Sequence, residues 1–207
     1  MKRCVIVGGA PIGRYDRIKP LLQEDDFFIY CDSGLCHAEK LGRQPDLIIG
    51  DFDSYEKPET EIETIVLPTV KDDTDTMFAV KEGIRRDFGD FLLIGALGGR
   101  LDHTMVNVYS LLYLDEKGKN GAIADDFSVV RLVSRTPAEI GPEWAFFSLV
   151  NIDGSAHGVT IRDAKYELDD AAIPCSFQYA TSNEPLPHKT ASVSLREGRL
   201  LLICDYE

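Results

Sequence analysis

The chain is poor in positive charge. It carries 22 Lys and Arg against 35 Asp and Glu, a net charge of −13. That balance excludes a general electrostatic footprint for nucleic acid, because phosphates are repelled. Any polyphosphate must be met locally, by cations or by backbone amides. Long apolar runs are missing as well, and none approaches the roughly 20 residues that a membrane-spanning helix needs. The opening Met1-Lys2-Arg3-Cys4-Val5-Ile6-Val7 is basic and then apolar, as a secretory leader is. Its apolar part is too short and breaks at Gly8-Gly9, so it reads as a first strand, and the expectation is a cytoplasmic protein. Paired cysteines are absent: the five are odd in number and form no CxxC. Cys4, Cys31 and Cys204 fall in apolar strand-like runs, which reads as buried free thiols in a reducing compartment. Cys36-His37 has no second pair to complete a metal site. Repeats and low-complexity tracts are lacking too, and the single tryptophan, Trp144, sits in a predicted strand where it reads as core. With 44% hydrophobic and 28% charged residues the chain has the makings of a soluble globular protein, and its length fits one large domain or two small ones.

What is present first is alternation. Cys4–Val7, Phe27–Cys31, Leu47–Ile49, Ile65–Leu67 and Phe91–Ile94 are short runs apolar on both faces, most of them stopped by Gly or Pro. Runs of that kind suit parallel strands covered by helices. Between them, Met77, Val80, Ile84 and Phe88 recur at helical spacing, with Lys81, Arg85 and Arg86 on the other side. Leu101, Met105, Val108 and Leu112 do the same. The implied architecture is α/β with a parallel sheet and a ligand crevice at the carboxyl ends of its strands. After about residue 125 the pattern changes. Val129–Val133, Trp144–Val150, Gly158–Ile161, Ser192–Leu195 and Leu200–Cys204 read as short strands, with Glu197-Gly198-Arg199 as a hairpin turn between the last two. The expected organisation is an α/β domain over 1–125 and a small all-β sandwich over 126–207.

The acids then become informative. In Leu47-Ile48-Ile49-Gly50-Asp51-Phe52-Asp53-Ser54 a buried strand runs into two aspartates two residues apart. In an extended segment they point the same way, roughly 6.6 Å apart, with Phe52 directed away. Asp32 stands at the equivalent end of the preceding strand, Asp75 at the start of the Met77 helix, and Asp102 at the start of the Leu101 helix. Asp46 lies at the opposite end of its strand, about 16 Å from Asp51, and is excluded. Two carboxylates about 5 Å apart repel by roughly 3 kcal/mol at an effective dielectric near 20. A hard cation removes that cost. Mg²⁺ takes a few carboxylate oxygens plus waters and substrate phosphates. Acids, glycine-rich turns and Arg100 together point to metal-bridged phosphate chemistry. Plainer readings stand beside this one. Asp72, Asp73 and Asp102 can be helix caps, and Asp32, Asp51 and Asp53 can be turn formers. Gly8-Gly9-Ala10-Pro11-Ile12-Gly13 can cradle a phosphate through its amides or be a tight turn. Arg100 can hold a phosphate or a surface ion pair, and His103 reads as a first-turn helix residue.

Taken together, Asp32-Ser33-Gly34, the Pro45–Ser54 segment, Lys71-Asp72-Asp73-Thr74-Asp75, Gly98-Gly99-Arg100-Leu101-Asp102-His103 with Asn107, and Ser182-Asn183-Glu184 resemble the thiamine pyrophosphokinase family. Their order and spacing span nearly the whole chain. The resemblance implies an α/β nucleotide domain followed by a β-sandwich, in a homodimer with thiamine near the subunit interface. It implies ATP plus thiamine giving thiamine diphosphate plus AMP, with Mg²⁺. Asp32, Asp51, Asp53 and Asp75 match the family's metal and substrate acids. Lys71, Thr74, Arg100 and Asn107 match positions around ATP. Ser182 and Asn183 match the segment lining the thiamine pocket, to which Asp75 also contributes. Asp51, Asp53, Asp75, Arg100 and Asp102 form the catalytic set, with Asp75 or Asp102 orienting the hydroxyl. Two departures stand out: Ser33 replaces a usual glycine, and Pro185-Leu186 follows Glu184 where an aromatic or apolar residue is common. The rival readings are a pyrophosphokinase for another alcohol such as a hydroxymethylpterin, a metal-dependent phosphohydrolase, and a non-catalytic thiamine or nucleotide sensor.

Overall fold

A computed structural model describes residues 2–52, 59–70 and 72–206. The chain divides into two compact units, Met1–Asp126 and Phe127–Glu207. In the first, β1 (Arg3–Val7), β2 (Phe27–Cys31), β3 (Leu47–Gly50), β4 (Thr64–Val66), β5 (Asp90–Ile94) and β6 (Asn120–Ala124) lie side by side in the order β4-β3-β2-β1-β5-β6. Every neighbouring pair is parallel. The runs apolar on both faces explain this. Cys4–Val7 and all four residues of β3 are buried, with Tyr30 and Phe91 among the largest side chains fully inside. Each fully buried aliphatic or aromatic side chain contributes about 1.5–3 kcal/mol of transfer free energy. The order runs outward in both directions from β1, so β1 marks the switch point of the sheet, where an open α/β fold leaves a crevice.

The helices of this unit are α1 (Tyr15–Ile18), α2 (Ala38–Leu41), α3 (Asp75–Arg85) and α4 (Leu101–Glu116). Thr74, not Asp72 or Asp73, is the N-cap of α3: its hydroxyl accepts from the Met77 amide at 3.2 Å. Asp73 instead pairs with Lys81 at 2.7 Å. Thr74→Ala is therefore expected to cost about 1 kcal/mol in a urea titration, and Thr74→Ser much less. The buried face of α3 is Ala79, Val80 and Gly83, joined by Glu82, whose carboxylate takes both Arg85 and Arg86 at 2.7 Å. Helix α4 differs more from expectation. Asn107, Ser110, Leu111 and Leu114 face inward, while Leu101 and Met105 from the predicted stripe are exposed, with Val106 and Tyr109 beside them. The helix carries two apolar stripes, and periodicity alone cannot say which one meets the sheet. Asp102 is not a cap either. Arg100 holds the N-cap position of α4 without a side-chain cap bond.

The second unit contains β7 (Ser128–Val133), β8 (Ala138–Ile140), β9 (Phe146–Val150), β10 (Ser155–Arg162), β11 (Leu168–Pro174), β12 (Ala191–Ser194) and β13 (Leu200–Asp205). Antiparallel pairing joins β7-β13-β9 on one side and β11-β10-β12-β8 on the other. Val133, Phe147, Leu149 and Leu202 from the first group share one core with Ile140, Val159, Ile161 and Val193 from the second. The alternating burial of β9 and β10 shows why: one face of each strand is apolar and the other meets solvent. The Glu197–Arg199 turn does not close a hairpin. It carries the chain from β12, which pairs with β10 and β8, to β13, which pairs with β7 and β9. The residues flanking a turn of this type look the same whether the next strand pairs with the last or crosses the core. Trp144 precedes β9, half-buried against that core and 4.7 Å from the Tyr206 ring.

Candidate active site

Parallel register brings the carboxyl ends of β1, β2, β3 and β5 level. Val7 stands opposite Tyr30 and Ile94, and Cys31 opposite Ile49. The residues that follow therefore share one rim: Gly8 after β1, Asp32 after β2, Asp51 after β3 and Gly95 after β5. They line a crevice of about 450 Å³, together with Thr74, Asp75 and Thr76 from α3 and Gly98, Gly99, Arg100, His103 and Asn107 from α4 and its approach. Its floor is tight. A Cβ on Gly8 would lie 2.5 Å from the Gly95 carbonyl oxygen, so neither strand end tolerates a side chain there. Gly98 and Gly99 take positive φ (91° and 67°) to turn the chain into α4, a conformation that other residues adopt at a cost.

Asp32, Asp51 and Asp75 all line this crevice. Asp32 has a φ of 44°, and its Cα lies 3.2 Å from where a Cβ on Gly50 would sit. It is thus tucked against the end of β3, next to Asp51. The Oδ1 atoms of Asp32 and Asp75 are buried. Cys31 reaches the first turn of α3, with its thiol 3.7 Å from the Asp75 carbonyl oxygen. Phe52 overturns one expectation. Its φ of 55° is left-handed, so the chain is not extended at Phe52 as strand alternation expects. Asp53 and Lys71 lie outside the described residues. Asp46 is where its strand position puts it, away from the crevice, accepting from the Phe28 amide at 2.8 Å.

Arg100 and Asp102 form an exposed pair at the rim, 2.6 Å apart. That bond from Arg100, with a smaller one from the His103 amide, pulls the Asp102 carboxyl down to about 2. Only Arg100 and His103 of the three line the crevice. Asn107 is buried and donates to the Ala96 carbonyl oxygen at 2.7 Å, which holds the turn after β5. The glycine-rich segment after β1 is a wall rather than an amide cradle. The Gly8 and Ala10 amides go to Ile94 and Gly95, and those of Gly13 and Arg14 to the Asp126 carboxylate at 2.7 and 2.9 Å. Pro11 has no donor, so at most Gly9 and Ile12 remain for a ligand. Thr76 and Ala96 also line the crevice, and no motif signals them.

In the second unit Ser182 and Asn183 run beside β9, with Asn183 bridged to Phe147. Asn183 is buried and its carboxamide is engaged locally. Oδ1 accepts from the Tyr166 and Glu184 amides at 3.0 and 2.9 Å, and Nδ2 donates to the Tyr166 carbonyl oxygen at 2.7 Å. Ser182 is exposed, with a φ of 55°.

Hard oxygen donors fit Mg²⁺, which asks for one or two carboxylates when substrate phosphates supply the rest. Among the described residues no three His, Cys, Asp or Glu gather into a site closed by protein alone. The carboxylates of Asp32, Asp51 and Asp75 on one crevice are donors of the kind a hard cation takes.

An acid-rimmed crevice at the switch point of a parallel sheet, with an arginine at its mouth, defines an α/β protein built to hold a charged ligand at its strand ends. The model of the thiamin pyrophosphokinase catalytic domain matches residues 18–123, and that of the thiamin pyrophosphokinase vitamin B1 binding domain matches residues 138–200. The chain belongs to the thiamin pyrophosphokinase family. It is 26% identical to thiamine pyrophosphokinase of Bacillus subtilis over 98% of both chains. It is 23% identical to thiamin pyrophosphokinase 1 of Caenorhabditis elegans over 96% of this chain and 86% of that protein. The crystal structure of the Bacillus subtilis protein has the same fold, with a TM-score of 0.88 over the whole of both chains at 22% identity.

Proposed function

We propose that this protein transfers the diphosphate of ATP to the hydroxyl of thiamine, giving thiamine diphosphate and AMP. The observation that carries the reading is the convergence of Asp32, Asp51 and Asp75 with Arg100 on one crevice. The first unit is the ATP-binding catalytic domain. The second is the thiamine-binding sandwich, with Ser182 in contact with thiamine and Asn183 shaping the segment from behind. The free thiols agree with a cytoplasmic enzyme, where ATP is at hand. The exposed stripe of Leu101, Met105, Val106 and Tyr109 on α4 gives a homodimer a surface to bury.

Asp32, Asp51, Asp53 and Asp75 would hold Mg²⁺, and Lys71, Thr74, Arg100 and Asn107 would surround ATP. When bound, the ion neutralises phosphate charge and aligns the chain for attack. The thiamine oxygen bonds to the β-phosphorus, the bond from that phosphorus to the α–β bridging oxygen breaks, and AMP leaves with that oxygen. Positioning and charge neutralisation supply most of the acceleration in such transfers. Arg100 leaves Asp102, an exposed and easily exchanged partner, for the migrating phosphate. Asp75 lines the crevice and Asp102 does not, so Asp75 orients the hydroxyl and takes its proton.

The test is incubation of the purified chain with ATP, Mg²⁺ and thiamine, with separation of the products. AMP and thiamine diphosphate in equal amounts are expected. Inorganic phosphate alone identifies a phosphohydrolase. Faster turnover with a hydroxymethylpterin identifies a different acceptor, and tight thiamine binding without turnover identifies a sensor.

A further inference from the structure

The segment after β1 forms one wall of the crevice, and the segment after β2 forms the next. Gly8, Gly9, Ala10 and Pro11 belong to the first, Asp32 and Ser33 to the second. The two are in close contact: a Cβ on Gly9 would lie 1.9 Å from the Ser33 hydroxyl, and one on Gly34 would lie 2.3 Å from the Val7 carbonyl oxygen. A single 3₁₀ segment, Asp32–His37, carries Asp32 and Ser33 at one end and His37 at the other. His37 is 5% exposed and lies outside the crevice lining. Its ring spans back to the first wall. Nε2 is 3.0 Å from the Ala10 carbonyl oxygen, and Nδ1 is 2.7 Å from the Tyr15 hydroxyl.

The chemistry of those two contacts fixes the ring. A carbonyl oxygen only accepts, so Nε2 carries the proton. In the neutral ring Nδ1 is then an acceptor, and the Tyr15 hydroxyl donates to it. Burial holds the ring neutral by pushing its pKa below the usual value of 6.5. Ala10 is thereby gripped from both sides, since its amide donates to the Gly95 carbonyl oxygen at 2.9 Å.

We propose that His37 is a positioning residue for ATP: through its hydrogen bond to Ala10 it locks the wall after β1 against the wall that bears Asp32, with Tyr15 fixing the tautomer. A burial role alone would make His37 replaceable by any apolar side chain of similar size. A positioning role makes the Nε2 donor indispensable. Glutamine places an amide N–H near the same point, and leucine does not.

The inference rests on reading the crevice as the ATP site. Amide hydrogen exchange over residues 8–14 and steady-state kinetics in ATP are therefore measured together on the wild type, His37→Leu, His37→Gln and Tyr15→Phe. In His37→Leu, exchange over 8–14 is expected to rise about tenfold and KM for ATP about tenfold, with kcat within about threefold. His37→Gln restores both to within about threefold of the wild type, and Tyr15→Phe falls between. Unchanged exchange and KM in His37→Leu overturn the proposal, as does equal damage in His37→Gln. Should His37→Leu fail to fold, Tyr15→Phe decides, and wild-type exchange and KM in that variant overturn it. A wild type that makes no thiamine diphosphate refutes the ATP reading instead. Exchange over 8–14 then still reports whether the clamp exists.

Discussion

Asp51→Asn is expected to lower kcat by about a thousandfold or more while the fold and the affinity for thiamine stay close to wild type. Asparagine matches aspartate in shape, so the crevice keeps its outline. What it removes is one negative charge and one hard oxygen ligand at the end of β3, beside Asp32. Losing a single preorganised electrostatic contact to the reacting group costs about 2.7–4 kcal/mol in comparable sites, or 10²–10³ in rate. Loss of a metal ligand adds to that, because the ion also places the phosphates. The measurement is AMP release at saturating ATP over a range of Mg²⁺. A rightward shift of the Mg²⁺ dependence together with the lowered plateau separates a ligand role from a purely structural one. Turnover within tenfold of wild type, with an unmoved Mg²⁺ dependence, refutes the assignment. Asp46→Asn is the control, since Asp46 caps the far end of the same strand and should leave the Mg²⁺ dependence untouched.

Why Asp51 was legible and other parts were not comes down to which forces are local. Gly50-Asp51 follows a run buried on both faces, and a buried parallel strand has only one end at which a polar residue can reach a ligand. The same logic placed Asp32 on the crevice and Asp46 away from it, whereas Asp75 was flagged by its place at the start of a helix. Most strands were readable because each is a short continuous apolar run, whereas Ala138–Ile140 and Leu168–Pro174, short or interrupted by Glu139, Asp169 and Asp170, were not. Asn120–Ala124 was not, since Asn, Gly and two alanines carry too little apolar signal, and its place beside β5 supplies the burial. The hairpin expected at Glu197–Arg199 failed for a similar reason, because pairing across two sheets is decided by the common core. Helix α4 displays two apolar stripes, and only the sheet beneath selects Leu111 and Leu114 over Leu101 and Met105. At the site, Phe52 breaks strand alternation with a left-handed φ that no spacing rule announces. Asn183 shows the limit of motif reasoning, since its carboxamide is occupied by Tyr166 and Glu184 backbone groups. The motif marks where the segment sits without saying which of its atoms face a ligand.

Stability should respond most to Asp26, far from any chemistry. Its side chain is fully buried, and Arg3, at the start of β1, is 13% exposed. Arg3 donates to both carboxylate oxygens, at 2.9 and 2.8 Å, and Nη2 also reaches the Leu21 carbonyl oxygen at 2.7 Å. The Gln23 amide donates to the same carboxylate at 2.7 Å. Asp26→Ala leaves the guanidinium with most of its desolvation cost and without its counter-ion, and leaves the Gln23 amide without its acceptor. Breaking a buried pair in that way costs about 3–5 kcal/mol. For a chain of this size that corresponds to a drop of about 10 °C in the melting temperature. Replacing both partners, as in Arg3→Met with Asp26→Leu, removes the charges together and should recover most of the loss, because well-packed apolar pairs often match buried ion pairs. Urea titration of Arg3→Met, Asp26→Leu and their double variant, beside Asp26→Ala, gives the coupling energy directly. A single-variant loss under 1 kcal/mol would mean that water reaches Arg3 readily and that the pair does little to hold β1 to the turn before β2. A double variant no better than Asp26→Ala would place the stabilisation in the Leu21 and Gln23 backbone contacts rather than in the ion pair.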